Sequence, residues 1–547
     1  MYLIKLGVTL MIALLIASCQ SSEKYQSSVP DIQQRVNEYA EYTLTTDISK
    51  LTDNEKQMLP YLFECADIMD ELFWKDAIGD KQAFLSKITD PALKLYAEIN
   101  YGPWDRMRND SAFIKGFGAK PAGAQYYPAD ITSEEFEKWE ATDEVKKNWY
   151  SLIQRSKDGK LINVPYHVAY SSEIEKAAEL LKKAAELAED EGLKNYLNLR
   201  AEALLTDDYL ASDLAWMDMK TNTIDFVVGP IESYEDGFLG IRAAHSGQIL
   251  VKDWVWSKKV EHFNNLLPEL QRRLPVPVEY KKEVPSANSD NNVYDVIYYA
   301  GDCNAAGKNI AINLPNDPRV HEQKGSRKLQ LRNAMQAKFD QILLPISKVL
   351  VAPDQQKYVK FDAFFENVMF HEVAHGLGVK STINGKGFVK DNLKDLYSSL
   401  EEGKADILGL FFVTQLYEMG EYESKDLMDN YVTFMAGIFR SVRFGASSAH
   451  GKANMVRFNY FMQNGAISRD SLSGTYRVNF DKMTEAMNSS AAEIITIQGN
   501  GDYDKAKLMI DELGIIKPEL QSDLDRIAQS KIPIDIVFKQ GLQVLGL

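Results

Sequence analysis

The sequence predicts an α+β fold with two lobes around a cleft. One is a mainly helical lobe; the other holds a small, mostly antiparallel β-sheet or barrel plus helices. Three observations predict it. Helical periodicity dominates from about residue 31 to 205 and returns after 316, while strand-type runs cluster between about 221 and 315. At 547 residues the chain is too long for one ordinary core. The run His371-Glu372-Val-Ala-His375 lies in the second helical tract, apart from the strand-rich stretch.

At the N-terminus Lys5 flanks an apolar run over 6–17, of signal-peptide length and too short to span a membrane well. It ends Ile16-Ala17-Ser18-Cys19, which resembles a bacterial lipobox. The resemblance implies a signal peptide over 1–18, lipidation of Cys19 and a polar tether over 19–30. The expected location is the bacterial envelope, anchored in a lipid membrane, with Gln20 favouring the outer membrane facing periplasm or exterior.

Residues 31–205 are expected to form the helical part of the sheet-bearing lobe. Within them 59–73 places Leu62, Cys65, Met69 and Leu72 at helical spacing, and 174–205 reads as one or two long amphipathic helices. Residues 206–340 form the expected β-rich, substrate-binding part, with strands at 224–228, 247–251, 293–299 and 309–314 and a helical insert at 254–274. Residues 341–465 are the expected helical catalytic lobe, with helices at 361–377, 395–418, 425–444 and 453–464. A helix over 328–350, broken at Pro345, leads into it. Residues 466–547 form a C-terminal helical extension with short strands at 475–479 and 534–538.

Composition narrows the function. Hydrophobic residues at 45% and charged ones at 26% suit a soluble globular chain. A net charge of −16 argues against a nucleic-acid partner, which requires a basic surface. Beyond Cys19 only Cys65 and Cys303 remain, so no disulfide framework or cysteine-rich metal site is present. Oligomeric state is not legible.

The chemistry sits at His371, Glu372 and His375. Residues four apart share a helix face, so both imidazoles can address one ion beside a carboxylate that takes a proton from water. A catalytic zinc needs three protein ligands. The later run Glu401-Glu402-Gly-Lys-Ala-Asp406 supplies Glu402 as the third, with Asp406, or Glu401, to hold the free ring nitrogen of a ligating histidine. This set predicts one Zn2+ per chain and hydrolysis with Glu372 as general base.

These motifs together resemble the dipeptidyl-peptidase III family of zinc metallopeptidases, here as a bacterial lipoprotein member. The resemblance extends to Asp213-Leu-Ala-Trp216, to 229–236 (GPIESYED), to Ile312-Asn313-Leu-Pro-Asn316 and to Ala449-His450 with Arg457-Phe458. It implies that Glu232, Asn313 and Asn316 hold the substrate's free α-amine, and that Tyr234 and His450 hydrogen-bond the scissile carbonyl or its oxyanion. The family's usual zinc motif carries one more residue before the second histidine, and the gap from His450 to Arg457 is longer here. The implied activity is release of dipeptides from the free N-terminus of short peptides. The same zinc core would also serve an endopeptidase or aminopeptidase, and a peptide-binding lipoprotein without turnover is the reading outside catalysis.

Overall fold

The computed structural model describes residues 24–283, 290–422 and 424–547; the expected signal peptide and Cys19 lie outside them. The chain folds as the expected α+β, two-lobed molecule. Strand β1 (Tyr39–Thr43) precedes the long helix α1 (Asp53–Ala77). A capping box starts α1: the Thr52 side chain accepts from the Glu55 N–H, and Glu55 reaches back to Thr52. Leu62, Cys65, Met69 and Leu72 all face the core, as their spacing predicts.

The tract at 174–205 is two helices, α2 (Ser171–Leu187) and α3 (Glu191–Thr206). Asp190 separates them by accepting the Leu193 N–H as a new N-cap. Between α1 and α2 the helical reading fails: Ser151–Arg155 and Leu161–Pro165 pair as a hairpin. Its turn holds Asp158-Gly159, with Gly159 at φ +81°, a hairpin signal inside a charged stretch.

The main sheet has five strands: β2 (Ile224–Glu232), β3 (Ala244–Lys252), β4 (Asp290–Gly301), β5 (Ala311–Leu314) and β6 (Arg327–Leu331). Their order is β2-β3-β4-β6-β5. All pairings are antiparallel except β4 with β6. β3 is buried along its whole length, with α1 packed against it. β5 is an edge strand, and Asn313 on it faces solvent.

Strand β6 corrects the sequence reading, which extended a helix back to Lys328. Arg327-Lys-Leu-Gln-Leu331 pairs on both sides, and Leu329 and Leu331 alternate into the core with period two. Helix α4 (Arg332–Lys338) then runs through a π turn at Phe339–Leu343 into α5 (Leu344–Leu350). Pro345 lies in the first turn of α5. The wider π turn removes the i−4 carbonyl clash that would otherwise break the helix there.

The helical lobe consists of α6 (Phe361–Ala374), α7 (Tyr397–Glu418), α8 (Leu427–Val442), α9 (Ala449–Gln463) and α10 (Phe480–Asn500). Helix α7 packs against α6, α9 and α10 and is buried along most of its length. The C-terminal strand β7 (Asp535–Lys539) returns to the sheet lobe and pairs in parallel with β1. There Phe538 stacks on Tyr299 of β4, with ring centroids 5.4 Å apart.

Candidate active site

Helix α6 is fixed by an apolar face of Phe364, Phe365, Met369, Phe370 and Val373. Its other face carries His371, Glu372 and His375. The helix ends at His375, and Lys404 of α7 donates to the free carbonyls of Leu377 at 2.8 Å and His375 at 3.4 Å. Gly409 sets how closely α7 crosses α6. A Cβ there would lie 2.9 Å from the His371 backbone nitrogen and 3.1 Å from the Phe370 carbonyl carbon. That close approach brings Glu402 and Asp406, one turn apart, against His371.

The imidazoles are oriented from behind. His371 Nδ1 donates to Asp406 Oδ1 at 2.7 Å, and His375 Nδ1 donates to Glu401 Oε1 at 3.1 Å. A carboxylate only accepts, so both Nδ1 atoms carry a hydrogen, and each imidazole in its neutral form presents the Nε2 lone pair. Those Nε2 atoms lie 3.2 Å (His371) and 3.8 Å (His375) from Glu402 Oε2, and His450 Nδ1 lies 3.0 Å from the same oxygen. His371, Glu402 and His450 lie close enough to share one ion. In this geometry His450 is a member of that group, while the expected ligand His375 lies farther out, its Nε2 3.8 Å from Glu402 Oε2.

The donor set fits a metal. Glu402 Oε2 is buried and makes no well-formed hydrogen bond, although three imidazole nitrogens surround it. A buried carboxylate oxygen left this way requires a partner, and a cation among those lone pairs supplies it. Without the ion, charge collects on the residues themselves. Burial alone would lower His371, but Asp406 and Glu402 outweigh it and push the imidazole up to about 10. Burial would raise Glu401, but His375 and Lys404 hold it at about 2. Burial likewise raises Glu402, and His371 with His450 bring it well below the usual carboxylate range.

On the sheet lobe, Asn316 Nδ2 donates to the Ile231 carbonyl at 3.0 Å and to Glu232 Oε2 at 3.2 Å. Burial pushes the Glu232 carboxyl up, partly offset by Asn316. Neighbouring Glu235 is already neutralised by Arg106 at 2.5 Å and Lys120 at 3.0 Å. The structure therefore brings Glu232 and Asn316 together, and Asn313 lies on the same strand edge. It does not bring Tyr234 to the metal residues: the ring is 85% exposed in the turn after β2.

Four further side chains support the site. Lys328 of β6 reaches across the lobes, its Nζ 2.8 Å from the Glu372 carbonyl and 3.5 Å from Glu372 Oε2. The strand misreading hid it. Lys404 closes the end of α6, and Gln498 of α10 donates to Glu401 Oε2 at 3.1 Å. Arg457, fully buried, donates to the Gly403 carbonyl, and a Cβ on Gly403 would overlap its guanidinium. Only Arg457 carried a sequence signal, through the motif after His450.

Comparison with known proteins agrees with this geometry. Residues 129–394 match the model of Peptidase family M49. Among curated proteins, Nudix hydrolase 3 of Arabidopsis thaliana is 31% identical over 95% of this chain and 74% of its own. The structure of DPP III from Caldithrix abyssi superposes with a TM-score of 0.88 at 37% identity, covering 93% of this chain and 99% of that one. Dipeptidyl-peptidase III from Corallococcus sp. strain EGB superposes with a TM-score of 0.76 at 34% identity, covering 93% and 97%.

Proposed function

The chain belongs to peptidase family M49 and is a metallopeptidase, and we propose that it is a zinc-dependent dipeptidyl peptidase acting on the free N-terminus of short peptides. One observation carries the reading. Glu232 and Asn316, hydrogen-bonded to each other and suited to an ammonium, lie beyond the Leu314 end of the edge strand β5, while His371, Glu372 and His450 line a cavity with Ala311 at its other end. An edge strand offers unpaired backbone groups to an extended peptide. A peptide laid along β5 with its amine at Glu232 places an early peptide bond at the metal residues.

His371, His375 and Glu402 would hold the ion. When bound, zinc would polarise the carbonyl and lower the pKa of water. Asp406 and Glu401 keep the two imidazoles in the ligating tautomer. Glu372 accepts the proton of the attacking water and returns it to the leaving amine. The Glu232 carboxylate and the Asn316 amide oxygen receive the α-ammonium, with Asn313 beside them. His450 and Tyr234 are the proposed donors to the developing oxyanion. Tyr234 serves only by folding down over bound peptide.

Mass analysis of the products from one unblocked hexapeptide, with and without chelator, tests the reading. Dipeptides lost on chelation support it; single residues or internal fragments overturn the dipeptidyl register, and chelator-resistant cleavage overturns the metal. N-acetylation should suppress turnover, and equal cleavage would remove the amine clamp. Lipidation of Cys19 is proposed separately and tested by the acyl mass on the N-terminal peptide of the cell-derived protein.

A further inference from the structure

A cavity of about 330 Å³ opens beside the metal residues. His371, Glu372 and His450 form one wall, Ile310 and Ala311 before and at the start of β5 another, and α8 a third. Along α8 the lining residues Thr433, Gly437 and Arg440 recur at helical spacing. A Cβ at Gly437 would meet nothing within 4 Å, so the wall is open there. The cavity lies off the Ala311 end of β5, whereas the amine clamp lies beyond its Leu314 end. It is therefore on the leaving-group side of the bond to be cut.

Arg440 is the unusual residue in this wall. Its Nε is buried without a hydrogen-bond partner. Among the described residues no hydrogen bond or ion pair engages its guanidinium; its neighbour is the Phe364 ring, 5.6 Å from the guanidinium carbon to the centroid. The carboxylate whose charge acts on it, Asp535, is already occupied by Lys338 at 3.1 Å and by the backbone N–H groups of Lys308 and Ile536. Arg443, also nearby, donates to the Ile534 carbonyl. Burial weakens the Arg440 charge and Asp535 only partly restores it. A protein of net charge −16 thus keeps four cations, Lys308, Lys338, Arg440 and Arg443, around one carboxylate here, with one guanidinium turned to a cavity and unpaired. The guanidinium is half-buried with its Nε sealed from water and no anion on it, and a carboxylate is its natural bidentate partner.

We propose that Arg440 binds a carboxylate on the leaving-group side, in the first place the C-terminal carboxylate of a two-residue leaving segment. This rests on the dipeptidyl reading for the length of the segment. The cavity is at the small end of ligand-sized pockets, which suits a short segment with its terminus inside. Such a site would make the enzyme favour tetrapeptides, held by the amine at one end and the carboxylate at the other. An acidic side chain just after the cut offers the same chemistry to a longer peptide.

The test compares a tetrapeptide acid with its C-terminal amide in the metal-loaded enzyme. The acid should show a kcat/KM higher by about tenfold or more, the scale of one charge-assisted bidentate contact. Arg440→Met should bring the ratio to near one, and Arg440→Lys should retain part of it. A ratio near one in the unaltered enzyme, or a ratio that Arg440→Met leaves intact, overturns the proposal. A second arm uses hexapeptides with Glu or Gln at the third or fourth residue, whose terminus lies beyond the cavity. A Glu preference abolished by Arg440→Met, with no acid-over-amide preference in tetrapeptides, would reassign the site to side chains and overturn the C-terminal assignment. Should Arg440→Met not fold, inhibition of the unaltered enzyme by an N-acetylated dipeptide and its amide decides: the acid should inhibit about tenfold more strongly, and equal inhibition overturns the proposal. Product masses are read in the same digests. A changed cleavage register with an intact acid preference would refute dipeptide release and leave the carboxylate site standing.

Discussion

At the scale of single residues, charge is arranged so that each wall of the cleft does one task. Glu372 sits beside two histidines whose orientation is fixed from behind by Asp406 and Glu401. Glu372→Gln should keep metal content, since the ligands are untouched, and lower kcat by about 10²–10⁴. Metal analysis beside steady-state rates checks it, and a rate within tenfold of the parent would remove the general-base role. Asp302, at the turn after β4, is a residue the mechanism does not use. Burial pushes its carboxyl up to about 7, and the negative charges of Glu235 and Glu232 add to this against Arg106. Its folded value lies above the unfolded one, so the folded state holds a proton between about pH 4 and 7 that the unfolded chain has lost. Stability from this group is therefore intact below about pH 4 and is lost as pH rises through about 7. A substrate ammonium at Glu232 would favour the ionised form. KM for an unblocked peptide should accordingly fall from pH 6 to 8, and Asp302→Asn should flatten that slope; an unchanged slope in the variant counts against it.

At the scale of elements, the site is two helices held unusually close. His371, Glu372 and His375 are legible in sequence because i, i+4 spacing alone sets one helix face. Glu402 and Asp406 are legible because the same rule applies on α7. Neither rule says how near the helices come, and that distance is decided by Gly409 against the His371 backbone. Gly409→Ala should wedge α6 from α7, at about 1–3 kcal/mol of overpacking strain. Glu402 and Asp406 would move off His371 together, and metal affinity should fall about 10–100-fold. Thermal melting and metal titration read the two effects; a variant with unaltered melting and affinity would show that the crossing tolerates a methyl group. What the sequence hid has a common cause. Strand β6 is a five-residue alternation abutting a helix, so its periodicity is overrun. The pairing of β1 with β7 joins the two ends of the described chain, and no local pattern encodes a partner so distant.

At the scale of the molecule, the proposed amine clamp, Glu232 with Asn316, and the proposed base, Glu372, belong to different lobes, and a productive enzyme must keep them in register. Strand β6 does part of this. It pairs with β5, Lys328 lying opposite Asn313, while the Lys328 side chain holds the Glu372 carbonyl and approaches its carboxylate. One residue thus ties the strand proposed to present the peptide, through its pairing, to the helix that carries Glu372. Lys328→Met keeps the side-chain length and removes the tie. Because Lys328 touches none of the proposed ligand atoms named above, metal content should not change. The base would lose both its anchor and its nearest cation, and misplacement of a catalytic group by about 1 Å can cost on the order of 10²-fold in rate. The expected outcome is a kcat lowered about 10–100-fold with KM shifted far less, since Glu232 and Asn316 remain in place. A loss confined to KM would place Lys328 with the substrate. An unchanged kcat would mean that the lobes find their register through the packed elements alone, with β7 and β1 closing the chain behind them.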